Sequence, residues 1–296
     1  MKYYSTNKIS PAVSFEDAVV RGLAPDKGLY FPEKIGTLPK GLIGHNNSIH
    51  EIAFEVAKLF VDGEIDNQKL QTIVEETLAF PTPIVNVEKD VFSLELWHGP
   101  TCAFKDVGAR FLARCLSYFV QRKERKVTIL VATSGDTGSA VANGFLGVEG
   151  IDVVILYPKG KVSKIQEQQL TTIGHNIAAL EVDGTFDDCQ KMVKLAFNDE
   201  SLTNTMNLSS ANSINVARFL PQSFYYFSAY EQLEDKKKPV AFSVPSGNFG
   251  NLTAGMFATR MGLPVEKFIA ATNVNDVVPE YLKTGVYRAR PSIPTI

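Results

Sequence analysis

The sequence has 296 residues, 45% of them hydrophobic, with a formal net charge of −2 and a pI near 6.1. This is material for one large domain or two ordinary ones. It excludes the basic footprint of a nucleic-acid binder, and no run approaches the roughly 18 apolar residues of a membrane span. Three cysteines (Cys102, Cys115 and Cys189) are too few and too dispersed for a disulfide framework or a zinc cluster. That points to a reducing compartment, the cytoplasm. The stretch from Met1 to Asn7 lacks the apolar run of a secretory signal.

In chain order, residues 1–47 are rich in glycine and proline and are expected to form irregular structure leaning on a larger body. Ser48 and Glu51 have capping-box spacing. They open a helix carrying Ile52, Ala53, Val56, Leu59 and Phe60. A second helix, from about residue 67 to 79, is apolar at Leu70, Ile73, Val74 and Leu78, and Pro81 and Pro83 end it. These form an N-terminal helical domain over residues 1–90.

From Ile84 onward strands and helices alternate. Strands are predicted at 84–87, 91–96, 127–132, 153–157, 177–182, 240–244 and 268–271. Helical patterns are predicted at 105–120, 137–146, 162–173, 186–197, 213–232 and 251–261. Short apolar strands alternating with helices predict an α/β fold of mostly parallel sheets flanked by helices. The charge run at 234–238 reads as a solvated turn. The tail from Tyr287 to Ile296 is expected to be extended.

The apolar run at 91–96 leads into Trp97-His98-Gly99-Pro100-Thr101-Cys102-Ala103-Phe104-Lys105-Asp106. Lys105 is therefore expected where a buried strand turns into a helix. Burial lowers a lysine pKa and frees its amine for Schiff-base chemistry; a snorkelling surface lysine is the plain alternative. Ligands of parallel sheets gather at the carboxyl ends of the strands, and three further loops fall there. Thr133-Ser134-Gly135-Asp136-Thr137-Gly138-Ser139 offers hydroxyls, glycines and the N–H groups of a helix start, suited to an anion or carboxylate. Ser246-Gly247-Asn248-Phe249-Gly250-Asn251 has two glycines that let the backbone approach an anion. Asn212 and Ser213 are candidate helix caps, with Arg218 able to meet a phosphate bidentately. Each loop, alone, is also readable as a capped turn. Neither GxGxxG nor a P-loop is present, which leaves a dinucleotide site unsupported. A desolvated amine beside phosphate cradles points to pyridoxal 5′-phosphate. A second cradle points to a phosphorylated substrate. No metal site is predicted.

These motifs together resemble the threonine synthase family, in its bacterial and fungal branch. The resemblance rests on Ser14-Phe15, Arg21-Gly22-Leu23-Ala24-Pro25-Asp26 and Gly28-Leu29-Tyr30. It continues through His98-Gly99-Pro100-Thr101 with Ala103-Phe104-Lys105-Asp106, Thr133 to Ala140, Asn212-Ser213-Ile214-Asn215 with Ala217-Arg218, and Gly247 to Asn251. It implies a tryptophan-synthase-β-like fold (PLP fold type II). The implied activity is conversion of O-phospho-L-homoserine and water to L-threonine and phosphate. Related pyridoxal chemistries, a phospholyase or a serine/threonine dehydratase, are the neighbouring alternatives, and a non-catalytic phosphometabolite binder is the distant one.

By resemblance Lys105 is the Schiff-base lysine and proton carrier. Asp136, Gly247, Asn248, Phe249, Gly250 and Asn251 hold the cofactor. Ser134, Gly135, Thr137, Asn212, Ser213 and Arg218 hold the substrate. The implied domains are 1–90, a smaller α/β domain at 116–225, and a large domain from 91–115 and 226–296 that is incomplete at its C-terminus. A monomer or homodimer is expected, with no nucleic-acid or membrane partner. Lys27 and Cys102 depart from the family's usual glycine and larger apolar residue. The hydroxyl expected to face the pyridine nitrogen lies beyond these residues.

Overall fold

The computed structural model describes residues 1–123, 126–291, 293 and 295. Ser292, Pro294 and Ile296, part of the tail expected to be extended, lie outside the described residues.

The irregular N-terminal segment is organised around one carboxylate. Strands β1 (Tyr3–Ser5) and β2 (Tyr30–Pro32) pair antiparallel, with helix α1 (Phe15–Arg21) between them in the chain. Asp26 Oδ1 accepts from Ser5 Oγ at 2.6 Å and Gly28 N at 3.0 Å. Its Oδ2 accepts from Ser10 N at 2.8 Å and Ile9 N at 3.0 Å. Four donors thus replace the regular ladder this stretch lacks. The segment leans on helix α2 (Ile49–Val61): buried Tyr3 donates its hydroxyl to Phe60 O at 2.7 Å. The capping box of Ser48 and Glu51 is present as expected, and helix α3 (Asn67–Thr77) is capped by Asp66.

The next two strands correct the sequence reading. β3 (Ile84–Glu88) and β4 (Val91–Leu94) form an antiparallel hairpin rather than members of a parallel sheet. Their link is Lys89-Asp90, with Asp90 at φ +61°; a parallel pair needs a crossover of a dozen or more residues. β4 ends at Leu94 and is exposed or half-buried throughout. Lys105 therefore does not follow a buried strand directly; a loop of residues 95–104 intervenes.

Helix α4 (Lys105–Arg122) then feeds the main sheet. It is built from β5 (Val127–Ala132), α5 (Asp136–Phe145), β6 (Ile151–Pro158), α6 (Lys164–Thr171), β7 (Ile177–Val182), α7 (Phe186–Asn198), α8 (Glu200–Thr205) and β8 (Leu208–Ser209). Its order is β7-β6-β5-β8, every pair parallel. The alternation of apolar strands and helices predicts β5 to β7 and α5 to α7 correctly, whereas α8 and β8 have no counterpart in the sequence reading. α7 packs on β5 and β6 through Cys189 and Val193, which meet Leu130, Ala132 and Leu156.

The helix expected over 213–232 is three pieces: α9 (Val216–Phe219), a 3₁₀ turn (Leu220–Gln222) and α10 (Ser223–Glu231). Asn215 starts the first, and Pro221 has no N–H to continue it. α10 is almost wholly buried, running between elements rather than over a surface. A parallel pair, β9 (Ala241–Pro245) and β10 (Lys267–Ala271), flanks α11 (Gly250–Arg260) in sequence. A short exposed helix, α12 (Val277–Thr284), follows with no counterpart in the sequence reading. One hydrophobic cluster runs from Tyr3 to Leu263, so the N-terminal segment and the sheet share a core.

Hydrogen bonds from Ser5, Gly28, Ser10 and Ile9 hold the Asp26 carboxyl far below the usual carboxylate range. A depressed carboxylate stabilises the fold above about pH 4, and that contribution is lost as pH falls toward the folded pKa. Asp26→Asn is expected to lower the urea midpoint at pH 7 and to narrow the gap from wild type at pH 3. An equal gap at both pH values would contradict this assignment.

Candidate active site

The site forms where three helices begin. Lys105 is the first residue of α4, preceded by Phe104, which offers no side-chain cap. Its Nζ donates to Thr137 Oγ1 at 3.0 Å, from the first turn of α5. Burial lowers the Lys105 pKa; Asp136 opposes the shift and Arg218 adds to it. A fraction of neutral amine larger than an exposed lysine's follows at neutral pH.

The loop before Lys105 is fixed from within. Buried Asp106 accepts from Thr101 N at 3.0 Å and Thr101 Oγ1 at 2.6 Å. A Cβ on Gly99 would stand 2.5 Å from Asp106 Oδ2, so only glycine fits there. Tyr225, on α10, donates its hydroxyl to Phe104 O at 2.5 Å. These contacts set the position of Lys105 without touching its amine. Burial raises the Asp106 carboxyl, with its bonds to Thr101 opposing.

The 133–138 turn is closed by Thr133. Its Oγ1 accepts from Gly135 N at 3.0 Å and Gly138 N at 2.8 Å. Gly135 sits at φ +148° against the Gln166 side chain, and Gln166 Nε2 donates to Asp136 Oδ1 at 2.7 Å. The N-terminus of α6 is thereby fastened to that of α5.

In the third loop the cap is not where the sequence put it. Asn215, rather than Asn212 or Ser213, caps α9: its Oδ1 accepts from Ala217 N at 3.0 Å, and its Nδ2 donates to Val19 O at 2.9 Å. Asn212 and Ser213 are left to line a cavity of about 530 Å³. Among the described residues their side chains have no hydrogen-bond partner. Thr137, Asn248 and Gly250 line the same cavity. Arg218 does not. It is 2% exposed, Nη1 donates to Ala211 O at 2.5 Å, and Nε has no acceptor among the described residues. Burial pushes its guanidinium down to about 10, with Asp106 opposing, so it stays charged at neutral pH.

The loop from Ser246 to Asn251 fits a phosphate. Phe249 takes the left-handed conformation at φ +60°. Asn251 Nδ2 donates to Pro245 O at 2.7 Å, which holds the turn shut. The N–H groups of Gly247, Asn248 and Phe249 meet no acceptor among the described residues. A Cβ on Gly247 or Gly250 would meet no atom within 4 Å. Nothing in the polypeptide demands glycine there, and the backbone of the loop is left open to approach. Unsatisfied N–H groups at a helix start attract an anion.

Each residue expected at the site thus belongs to one of the four loops, and three loops contribute directly to the cavity wall. Sequence reasoning missed Thr133, Gln166 and Tyr225 as builders, and Phe186, Gln190 and Lys194 as wall residues. Only the last three carried a signal, their spacing of four on one helix.

A parallel α/β sheet, a desolvated lysine at a helix start and a backbone cradle of N–H groups are the marks of a pyridoxal-phosphate enzyme. The family described as "Pyridoxal-phosphate dependent enzyme" matches residues 76–296, and "Threonine synthase N terminus" matches residues 2–78. The threonine synthase of Haemophilus influenzae is 45% identical over 305 residues, covering 100% of this chain and 69% of that protein. The crystal structure of threonine synthase from Escherichia coli superposes with a TM-score of 0.89 at 46% identity, over 98% of this chain and 68% of the other. The PLP-bound threonine synthase of Brucella melitensis gives 0.93 at 42%, over 100% and 65%. The chain belongs to the threonine synthase family, and its fold is the tryptophan-synthase-β-like fold that the motifs implied.

Gly108, in the first turn of α4, tests the packing beneath Lys105. In a free helix Gly→Ala gains about 1 kcal/mol. Here the new Cβ would lie 2.5 Å from Arg218 O, a backbone atom that cannot swing aside. Overpacking costs about 1–3 kcal/mol. Gly108→Ala is therefore expected to lower the urea midpoint despite its helix propensity. A raised midpoint would contradict the close α4–α9 approach.

Proposed function

We propose that the chain converts O-phospho-L-homoserine and water to L-threonine and phosphate, with pyridoxal 5′-phosphate held on Lys105. The observation that carries the residue assignment is the Lys105 amine, withdrawn from water and hydrogen-bonded to Thr137, which itself lines the cavity. When bound, pyridoxal phosphate supplies an electron sink that acidifies the substrate Cα–H.

This chain's residues do the rest. Lys105 anchors the cofactor and is the base placed to take and return protons at Cα and Cβ. Its lowered pKa suits a base working near neutrality. The N–H groups of Gly247, Asn248, Phe249 and Gly250, in the loop that Asn251 braces, hold the cofactor phosphate. Asp136, whose Oδ1 accepts from Gln166 Nε2, would help to hold the cofactor. Ser134, Gly135 and Thr137 orient the substrate carboxylate. Asn212 and Ser213 have free side chains at the wall for the substrate phosphate. Arg218 stands behind them with an unused Nε–H and a permanent charge for the phosphate as it leaves the γ-carbon.

The same reading divides the chain into 1–90, 116–225 and a large domain from 91–115 and 226–296. The four-stranded sheet within the second and the β9–β10 pair within the third support it. It also puts the protein in the cytoplasm, on the chemistry of three free thiols.

The test is a pair of variants. Lys105→Ala is expected to lose both the visible absorbance of the cofactor Schiff base and phosphate release. Arg218→Lys keeps a cation but loses the guanidinium fork. It is expected to raise KM for O-phospho-L-homoserine about ten- to hundredfold, the worth of one or two hydrogen bonds to a charged group. Cofactor absorbance should be unchanged. Unaltered KM in Arg218→Lys, with normal turnover, would remove Arg218 from the substrate site.

A further inference from the structure

One wall of the cavity is a helix with no role so far. α7 starts at a capping box in which Thr185 Oγ1 accepts from Asp188 N, while Asp188 Oδ2 accepts from Thr185 N at 2.8 Å. Cys189 and Val193 seat one face on the sheet. The adjoining face presents Phe186, Gln190 and Lys194 to the cavity at a spacing of four, one above the other. The helix is pinned at its start and along its buried face, so this stripe is held firmly against the site.

Lys194 is the single charged side chain on that wall among the described residues. It is exposed, and it makes no salt bridge or hydrogen bond with any described residue. The two carboxylates of its own helix, Asp187 and Asp188, lie in the first turn, seven and six positions away. The positions three and four away are Lys191, Gln190, Phe197 and Asn198, so no intrahelical ion pair can form. A solvated surface lysine would satisfy these facts alone. The opposite wall argues for more. Asn212 and Ser213 stand there with unused side chains. The site must also hold two phosphates, each carrying about −1.5 to −2 at pH 7. Lys105 is committed to the cofactor. Arg218 lies behind the wall, tied to Ala211 O. Among the described residues that line the cavity, Lys194 is the one cation, and it is exposed.

We propose that Lys194 is a phosphate-recognition residue, its ammonium closing on the phosphate of the phosphorylated amino-acid substrate opposite Asn212 and Ser213. This rests on the substrate reading above. A flexible, strongly hydrated ammonium suits a phosphate that must be captured and then released, where a rigid guanidinium fork would hold on. A long-range attraction at the mouth also raises the local concentration of a dianionic substrate, and salt screens it.

The experiment uses the protein loaded with pyridoxal phosphate. Lys194→Gln and Lys194→Arg are compared with wild type for turnover of O-phospho-L-homoserine at low and high KCl. Binding of inorganic phosphate is followed by calorimetry on the same samples. Lys194→Gln is expected to raise KM about tenfold, leave kcat within about twofold, weaken phosphate binding in parallel and flatten the KCl dependence of KM. Lys194→Arg should recover most of the loss. Unchanged KM and phosphate affinity in Lys194→Gln would overturn the proposal, and so would a selective loss of cofactor affinity. If wild type does not turn over O-phospho-L-homoserine, the substrate reading falls instead. The phosphate titration still decides whether Lys194 binds a phosphate.

Discussion

A lysine amine withdrawn from water destabilises a fold unless its charge is compensated or its neutral form is used. That constraint organises this molecule. Lys105 sits at the start of α4 with one hydroxyl, Thr137 Oγ1, as its hydrogen-bond acceptor, and burial lowers its pKa. Two features keep it there. The loop before it is locked by Asp106 on Thr101 and by Tyr225 on Phe104 O. The helix after it is packed against α9 so closely that Gly108 admits no side chain. The positional accuracy of a reactive group thus derives from neighbours that take no part in the chemistry.

The charge on the cavity wall itself is of one sign, with the carboxylates of Asp136 and Asp106 set off that wall beside Lys105 and Arg218. Arg218 is a buried cation beside Asp106, whose partial compensation keeps the guanidinium charged. The cradle at Gly247 to Gly250 adds the positive end of a helix and free N–H groups. Lys194 supplies an exposed cation at the rim, and no carboxylate lines the wall among the described residues. A surface arranged this way attracts phosphate more than it selects for any particular carbon skeleton. Skeleton selection falls to shape, supplied in part by Phe31, Phe186 and Phe219 on the wall.

The loops of the candidate site were as legible in the sequence as the parallel sheet they follow. Lys105, the 134–137 turn and the glycines at 247 and 250 could be read because their chemistry is local: a loop, a helix start, a side chain out of place. The hairpin of β3 and β4 was misread as parallel strands, although two linking residues leave no room for a crossover. The apolar run hid that arithmetic. The sequence offers Asn212 and Ser213 as caps of α9, two or three residues early, because several asparagines and serines compete there. Asn215 wins through a bond to Val19 O, 196 positions away in the chain, which no local pattern records. Asp26, Tyr225 and Gln166 act through equally distant partners. β8 is too short to carry a periodic signal; α12 has apolar Val277, Val278, Tyr281 and Leu282 at spacings of three and four, a signal the sequence reading passed over.

The central claim is that Lys105 is the residue that holds the cofactor. Borohydride reduction of the protein loaded with pyridoxal phosphate, followed by peptide mass mapping, tests it directly. The account predicts one pyridoxyl group, on the peptide containing Lys105. A pyridoxyl group on any other lysine, with Lys105 unmodified, would contradict it.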